Sequence, residues 1–249
     1  MHRRADRPWI FGHRGASARA PENTLRAFAL ALDEGADGVE LDVRDAADGA
    51  VVVVHDPTLE RVAKRPIVVA EAGLHTLAEV DVGAGERLPA LDAAIDLVRG
   101  RDRLLNVEVK GDVPDRLRLC RAVTRLLRRR SAKDRDGILV SSFRPEMLAA
   151  MRLAGVGVPI AFLFDEKNTG RLRARLLARA LRPDGLHPEK VLVTERDIAR
   201  WHRRGCFVGA WTVDQPEQAL SLAKAGIDAL ITNDPRGIVA ALGEPAPIG

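Results

Sequence analysis

Tyrosine is absent from this chain of 249 residues, and phenylalanine and tryptophan bring the aromatic fraction to only 4%. Proteins that hold single-stranded nucleic acid stack bases on aromatic side chains within a dense basic groove. Here the formal net charge is only +4, and arginine supplies most of the cations. The composition therefore argues against nucleic acid as a partner.

Cysteines and long apolar runs are also scarce. Cys120 and Cys206 lie far apart without the spacing of a metal site, and we expect both to be buried, reduced thiols. No apolar run approaches the ~18 residues of a membrane span. Residues 1–8 are charged and lack the apolar core of a signal peptide. We therefore expect a cytoplasmic protein without a transmembrane segment.

The chain does contain a regular alternation of short apolar runs with amphipathic segments, which is typical of a parallel α/β fold. The predicted strands are residues 9–12, 38–43, 104–109, 138–141, 160–164, 185–187, 207–213 and 229–232. About eight strands in about 250 residues predict a single TIM (β/α)8 barrel over residues 1–249. The arginine-rich segments 116–130 and 171–182 are predicted to be outer helices, with leucines such as Leu127 and Leu176 facing the sheet.

One apolar run breaks this alternation. Val51 to Val54 follows the second strand after only a short turn at Asp48-Gly49, whereas parallel neighbours need a crossover of a dozen or more residues. Asp-Gly is a favoured hairpin turn. We therefore predict a hairpin that returns to the barrel mouth and places His55 there. Residues 57–89 would then be a loop-rich insertion over the mouth.

Ionisable residues gather where the predicted strands end, and in a TIM barrel these ends hold the active site. Side chains alternate along a strand, so Glu40 and Asp42 point the same way, as do Glu108 and Lys110. Carboxylates from Glu40, Asp42 and Glu108 would repel one another in one mouth. A hard divalent cation, Mg²⁺ or Ca²⁺, would neutralise them. The alternative, a set of ordinary exposed ion pairs, does not explain their concentration at successive strand ends.

Two cations and two histidines accompany these carboxylates. Arg14 and Lys110 would together receive an anion, and the arginine fork suits a phosphate. His13 and His55 would supply a proton acceptor and a proton donor near neutral pH. The residues themselves thus predict an anion site with acid–base groups beside a metal ion.

The motifs that carry these residues resemble those of the glycerophosphodiester phosphodiesterase family. Residues 13–16 (HRGA) and 21–24 (PENT) are similar to its opening motif, 40–43 (ELDV) and 54–57 (VHDP) to its second, and 106–110 (NVEVK) to its third. Residues 141–143, 211–213 and 231–235 resemble later markers. The resemblance extends from about Phe11 to Pro235, which is nearly the whole chain.

This resemblance implies hydrolysis of a small-molecule glycerophosphodiester to glycerol phosphate and an alcohol. It implies one divalent metal ion, Mg²⁺ or Ca²⁺, on Glu40, Asp42 and Glu108. It also implies His13 and His55 as the general acid/base pair, Arg14 and Lys110 as phosphate ligands, and Trp211 beside the glycerol. Trp211 could equally be core packing. His187 and Asp234 receive no role, the latter because Asn233-Asp234 departs from the family's usual Thr-Asp order.

Alternatives remain open at this point. A lysophospholipase D would use the same site with an apolar leaving-group channel, and the insertion at 57–89 would decide between the two substrates. A barrel that only binds a phosphorylated ligand would not need two proton carriers. Contact with a membrane surface through the arginine-rich helices is a further alternative. The sequence leaves open the oligomeric state, the attacking oxygen and the assignment of acid and base.

Overall fold

The computed structural model describes residues 6–167 and 169–243, except the side chains of residues 171, 172 and 175. Eight parallel strands form the barrel: β1 (Trp9–His13), β2 (Gly38–Asp45), β4 (Leu104–Val109), β5 (Ile138–Ser142), β6 (Ile160–Phe164), β7 (Gly185–Pro188), β8 (Phe207–Ala210) and β9 (Ala229–Thr232). Strand β1 pairs with both β2 and β9, so the sheet closes. The predicted TIM barrel is confirmed.

The predicted hairpin is also present. Strand β3 (Val51–Val53) runs antiparallel to β2, with Val43 opposite Val53. Gly49 has a φ of 80° in the connecting turn, a conformation that glycine adopts at little cost. The insertion at 57–89 contains two short α-helices, α2 (Glu60–Ala63) and α3 (Leu74–Ala78), around a hydrophobic cluster that it shares with the hairpin and that includes Leu59, Leu77 and Val52.

Longer helices surround the barrel: α1 (Leu25–Asp33), α4 (Leu91–Gly100), α5 (Arg116–Arg129), α7 (Pro145–Leu153), α8 (Gly170–Leu181), α9 (Glu195–His202), α10 (Pro216–Lys224) and α11 (Pro235–Leu242). A short helix, α6 (Ala132–Asp136), follows α5. Helix α1 begins at Leu25 because Thr24 caps it, its hydroxyl accepting the N–H of Ala27.

Three finer expectations are wrong. Leu176 does not face the sheet but is 62% exposed, because the apolar stripe of α8 runs through Ala174, Leu177 and Ala178 on its other side. Strand β8 ends at Ala210, after which Trp211 forms only an isolated bridge with Glu189. Both cysteines are free, but only Cys120 is buried; Cys206 lies in the turn before β8 and is half-buried.

The alternation of side chains separates an outer core from the barrel interior. Leu105 and Val107 pack into the large cluster beneath the helices. Asn106 and Glu108 lie on the other face of the same strand, inside the barrel. Aromatic and aliphatic side chains around Phe11 and Ile231 form a separate cluster there. The polar residues near the carboxyl ends of the strands thus stand above an apolar floor.

Candidate active site

Glu40, Asp42 and Glu108 lie side by side on the neighbouring strands β2 and β4, where Asp42 is paired with Glu108. Each offers a carboxylate oxygen within 4.8 Å of the others. All three are buried, with exposures of 3%, 1% and 8%. The three predicted ligands are therefore together, and their oxygens suit a hard divalent cation. The cluster could hold one metal ion.

The three carboxylates of this cluster repel one another when they are ionised. Burial and then the negative charges of Asp42 and Glu108 raise the pKa of Glu40 well above its ordinary value. Burial also raises the pKa of Glu108. Burial disfavours the ionised form of Asp42 as well, but Lys110 and Arg14 lower its pKa overall. A bound divalent cation would favour the ionised form of all three, so the donor set fits the metal that the sequence implied.

Lys110 and Arg14 lie directly against these carboxylates. The Lys110 Nζ is 2.8 Å from Glu108 Oε1 and 3.3 Å from Asp42 Oδ1. Burial would lower the pKa of Lys110, but these two carboxylates raise it above its ordinary value. The Arg14 Nε lies 3.2 Å from Asp42 Oδ2. Both cations therefore stand at the carboxylate cluster, and both remain charged at neutral pH.

A tight turn after β1 positions Arg14. Its φ is 57°, which is uncommon for a non-glycine residue, and its backbone N–H donates to Glu40 Oε2 at 3.1 Å. Gly15 follows with a φ of 84°, and a Cβ there would lie only 2.5 Å from the carbonyl carbon of Ala27. The glycine of the HRG motif thus lets the turn pack directly on α1.

His13 ends β1 and faces Glu40, with its Nε2 4.0 Å from Glu40 Oε2. Its Nδ1 lies 2.7 Å from the Oδ1 of Asn233, the residue that follows β9. Burial and then the charge of Arg14 lower the pKa of His13. The ring is therefore held by one nitrogen, and the other points towards the carboxylate cluster.

His55 comes soon after β3 and is supported differently. Its Nδ1 lies 2.6 Å from Asp56 Oδ1, and Asp56 Oδ2 in turn accepts from Arg61 Nε at 2.5 Å. Arg61 belongs to the insertion and also bonds to Glu22, which accepts from Arg14 as well. Both histidines thus use Nδ1 for support and leave Nε2 available. Both histidines are also close enough to Asp42 to interact electrostatically with its carboxylate.

Two asparagines that received no role from the sequence contact the central residues. The Asn23 Nδ2 donates to Asp42 Oδ2 at 2.9 Å, while its Oδ1 accepts the N–H of Asp42 at 3.3 Å. Asn233 supports His13 as described above. Asn23 belongs to the PENT motif, and Asn233 follows the last strand. A polar residue at the end of a barrel strand was the available signal for Asn233.

Trp211 directly follows β8, and His187 lies on the neighbouring strand β7. Trp211 is half-buried; its Nε1 donates to the His187 carbonyl at 2.8 Å, and its ring meets Phe143 edge-on at 5.4 Å. It contributes to the apolar floor as well as to the wall near Phe143. His187 is 2% exposed, and burial lowers its pKa to about 4. Its ring lies inside the barrel against Gly209.

A cleft of about 610 Å³ opens beside Glu108 and Lys110. It runs over the ends of β5 and β6, past Phe143 and Arg144, to Arg173 on α8.

Among the helices in the described ranges, none combines the length and the apolar composition that a bilayer crossing requires.

Residues 13–236 match the family model described as the Glycerophosphoryl diester phosphodiesterase family. The chain belongs to the glycerophosphoryl diester phosphodiesterase family. The matched region includes every residue placed at the site above, from His13 to Asn233. The prediction of a phosphodiesterase is therefore confirmed at the level of the family.

Individual relatives are similar to this phosphodiesterase over nearly their whole length. The chain is 29% identical to a glycerophosphodiester phosphodiesterase of Caldanaerobacter subterraneus subsp. tengcongensis, over 92% of this chain and 96% of the relative. A glycerophosphodiester phosphodiesterase of Thermotoga maritima superposes with a TM-score of 0.78 at 28% identity, covering 96% of this chain and 99% of that one. An Oleispira antarctica phosphodiesterase, solved with the product sn-glycerol-3-phosphate, has a TM-score of 0.84 at 25% identity, with coverages of 95% and 97%.

Proposed function

We propose that this chain hydrolyses small-molecule glycerophosphodiesters to glycerol phosphate and an alcohol, with His13 and His55 as the general acid/base pair. The observation that carries the proposal is the buried cluster of Glu40, Asp42 and Glu108, which has two cations directly against it and two histidines near it. The Oleispira relative holds sn-glycerol-3-phosphate, which is the product that this reaction would release.

The carboxylate cluster would hold one divalent metal ion, Mg²⁺ or Ca²⁺. When bound, such an ion supplies positive charge that polarises the phosphoryl group and orients glycerol hydroxyls. Arg14 and Lys110 would bind the phosphate oxygens, because both cationic groups lie directly against the carboxylate cluster. Trp211 and Phe143 would form the apolar wall against the carbon atoms of the substrate.

The two histidines would move the protons. One Nε2 takes the proton of the attacking oxygen, which belongs to water or to the neighbouring glycerol hydroxyl, as that oxygen bonds to phosphorus. The other Nε2 gives a proton to the alcohol oxygen as its bond to phosphorus breaks. If the glycerol hydroxyl attacks, a cyclic phosphate forms first and water opens it afterwards. Asn233 and Asp56 would keep the rings oriented through Nδ1.

A lysophospholipase D is the second candidate, and the charged lining of the cleft beside Lys110, rather than the insertion at 57–89, disfavours it. A lysolipid carries a long alkyl chain that favours an apolar channel. The cleft beside Lys110 includes charged side chains such as Arg144, Asp165 and Arg173.

We also propose that residues 57–89 belong to the same catalytic domain, because Arg61 of this segment joins His55 to Arg14 through Asp56 and Glu22.

The test is a panel of phosphodiesters incubated with the purified chain and either Mg²⁺ or Ca²⁺. We expect glycerol phosphate and free alcohol from glycerophosphodiesters, and slower turnover of lysophospholipids. Phosphorus NMR would show a cyclic phosphate if the glycerol hydroxyl attacks. Binding of glycerol phosphate without turnover of any diester would instead support a ligand-binding barrel.

A further inference from the structure

The cleft beside Lys110 contains two guanidinium groups that have no assigned task. Arg144 precedes helix α7, and Arg173 lies in the first turn of helix α8. Both line the same cleft as Glu108 and Lys110. Within residues 6–167 and 169–243, neither side chain has an ion-pair or hydrogen-bond partner. Charges of this kind next to a phosphoryl site are available for a ligand.

The acidic side chains in the same cleft are already engaged. Both Asp112 carboxylate oxygens lie 2.8 Å from Arg44. Glu146 pairs with Arg116 at 3.4 Å, and Asp165 accepts the N–H of Thr169 at 3.2 Å. Asp112 and Glu146 are thus each paired with an arginine outside the cleft lining, whereas Arg144 and Arg173 have no such partner among the described residues, and their guanidinium groups can face a ligand.

The backbone around Arg144 explains how it reaches the cleft. A Cβ at Gly111 would lie only 2.3 Å from Arg144 Cγ, so the arginine stem lies across the residue that follows Lys110. Only glycine leaves this space. Arg144 Nε would lie 2.9 Å from the same Cβ, so the guanidinium starts beside the residue that follows Lys110 and lines the same cleft. Phe143 and Leu177 add apolar surface to the cleft for the carbon atoms of a ligand.

We propose that this cleft receives the leaving alcohol and that Arg144 and Arg173 select alcohols that carry a further anionic group, above all a phosphate. The inference rests on the proposed hydrolysis of glycerophosphodiesters and adds the class of leaving group. Arginine forks match phosphate geometry, whereas a quaternary ammonium group such as choline would meet like charge. The preferred substrate would therefore be a diester of glycerol phosphate with a phosphorylated polyol.

The test compares kcat/KM for diesters that differ only in the alcohol: glycerophosphocholine, glycerophosphoglycerol, the same diester with a phosphate on the leaving glycerol, and one with a carboxylate there. For the unmodified chain, we expect the phosphorylated substrate to exceed glycerophosphoglycerol by about tenfold, the lower end for charge-assisted hydrogen bonds because both arginines are exposed. Glycerophosphocholine should be the slowest. The carboxylate substrate separates general recognition of anions from recognition of phosphate.

Arg144→Gln and Arg173→Gln should each lower the ratio between the phosphorylated and the neutral substrate, and the double variant should bring it close to one. Arg179→Gln, an exposed arginine further along α8, is the matched control and should keep the ratio. Added salt should reduce the ratio for the unmodified chain. Equal kcat/KM for the two substrates, or a ratio that survives in the double variant, would overturn this inference. Failure to cleave any diester would overturn the proposed function instead.

Discussion

Asn233 and His13 meet across the seam where β9 closes on β1, with 2.7 Å between Asn233 Oδ1 and His13 Nδ1. The orientation of the amide follows from its other contact. Asn233 Nδ2 lies 2.8 Å from a carboxylate oxygen of Asp214, which can only accept. The amide oxygen therefore faces His13, so His13 Nδ1 carries a proton and the neutral ring has its lone pair on Nε2.

Asn233→Ala should reduce kcat by about tenfold, in the range found when a group that orients a catalytic ligand is lost. The effect should fall on kcat more than on KM, because Asn233 supports the ring and is not proposed to bind substrate. Nitrogen NMR of labelled histidine should show the Nδ1–H tautomer of His13 in the unmodified chain and a mixture in the variant. Wild-type kcat in Asn233→Ala would show that Asn233 does not position His13.

The two histidines should each matter more than their supports. His13→Ala and His55→Ala should lower kcat/KM by about 10²–10⁴-fold, the usual contribution of a positioned acid or base. The double variant should lose less than the product of the two, because residues that act as a unit are non-additive. His75→Ala, at a fully solvated site on α3, is the control and should retain activity.

A nitrophenyl diester assigns the roles of the two histidines. Nitrophenolate leaves without protonation, so the variant that lacks the general acid should be partly rescued on this substrate, whereas the variant that lacks the base should not. Phosphodiester turnover at the wild-type rate in either single variant would remove that histidine from the mechanism.

The sequence predicted the barrel and the grouping of the charged residues because both depend on local patterns. Strand periodicity predicts which face Glu40 and Asp42 share, and parallel strands bring their ends to one mouth. The His13–Asn233 bond could not be predicted in this way, because it depends on the closure of the barrel between residues 220 positions apart. The Arg61–Glu22 contact depends on how the insertion folds, and an irregular segment has no periodicity from which to predict it.

Leu176 shows a different limit of sequence analysis. The leucines at 172, 176, 177 and 181 predicted one apolar face of the outer helix. Other sets of apolar residues in the same segment, which include alanines, have helical spacing as well. Ala174 and Ala178 belong to the face on the barrel, and Leu176 points outward. Alanine contributes little to a hydrophobic pattern, so composition alone favoured the larger leucine.

Glu40→Gln should change metal affinity and apo-protein stability in opposite directions. Its pKa is raised in the folded chain by burial and by the neighbouring carboxylates, so its ionisation destabilises the metal-free fold as pH rises above the ordinary carboxyl value. The glutamine variant lacks this penalty and should melt at or above the temperature of the unmodified apo protein at pH 8. Its affinity for Mg²⁺ or Ca²⁺ should fall by at least about tenfold, because one charged ligand is lost.

Calorimetric titration with metal and thermal melting in excess chelator measure the two effects separately. Glu79→Gln, an exposed carboxylate on the insertion, should leave both unchanged. The affinity of the unmodified chain should also rise with pH, because metal binding requires ionised carboxylates. Equal metal affinity in Glu40→Gln and the unmodified chain would exclude Glu40 as a ligand.

His187 should make the fold sensitive to acid. Burial lowers its pKa from 6.5 to about 4, so the folded chain keeps the ring neutral while the unfolded chain protonates it below pH 6.5. Stability is therefore lost as pH falls from 6.5 towards 4, by up to about 3 kcal/mol for a shift of this size. His187→Gln should remove that part of the pH dependence, although it changes the packing against Gly209 at every pH. Urea unfolding gives the free energy of unfolding at pH 7 and at pH 4.5. The change between the two pH values is then compared among the unmodified chain, His187→Gln and the exposed control His75→Gln. If the variant loses as much stability between the two pH values as the unmodified chain does, then His187 is protonated inside the folded barrel and the interior is wetter than its burial indicates.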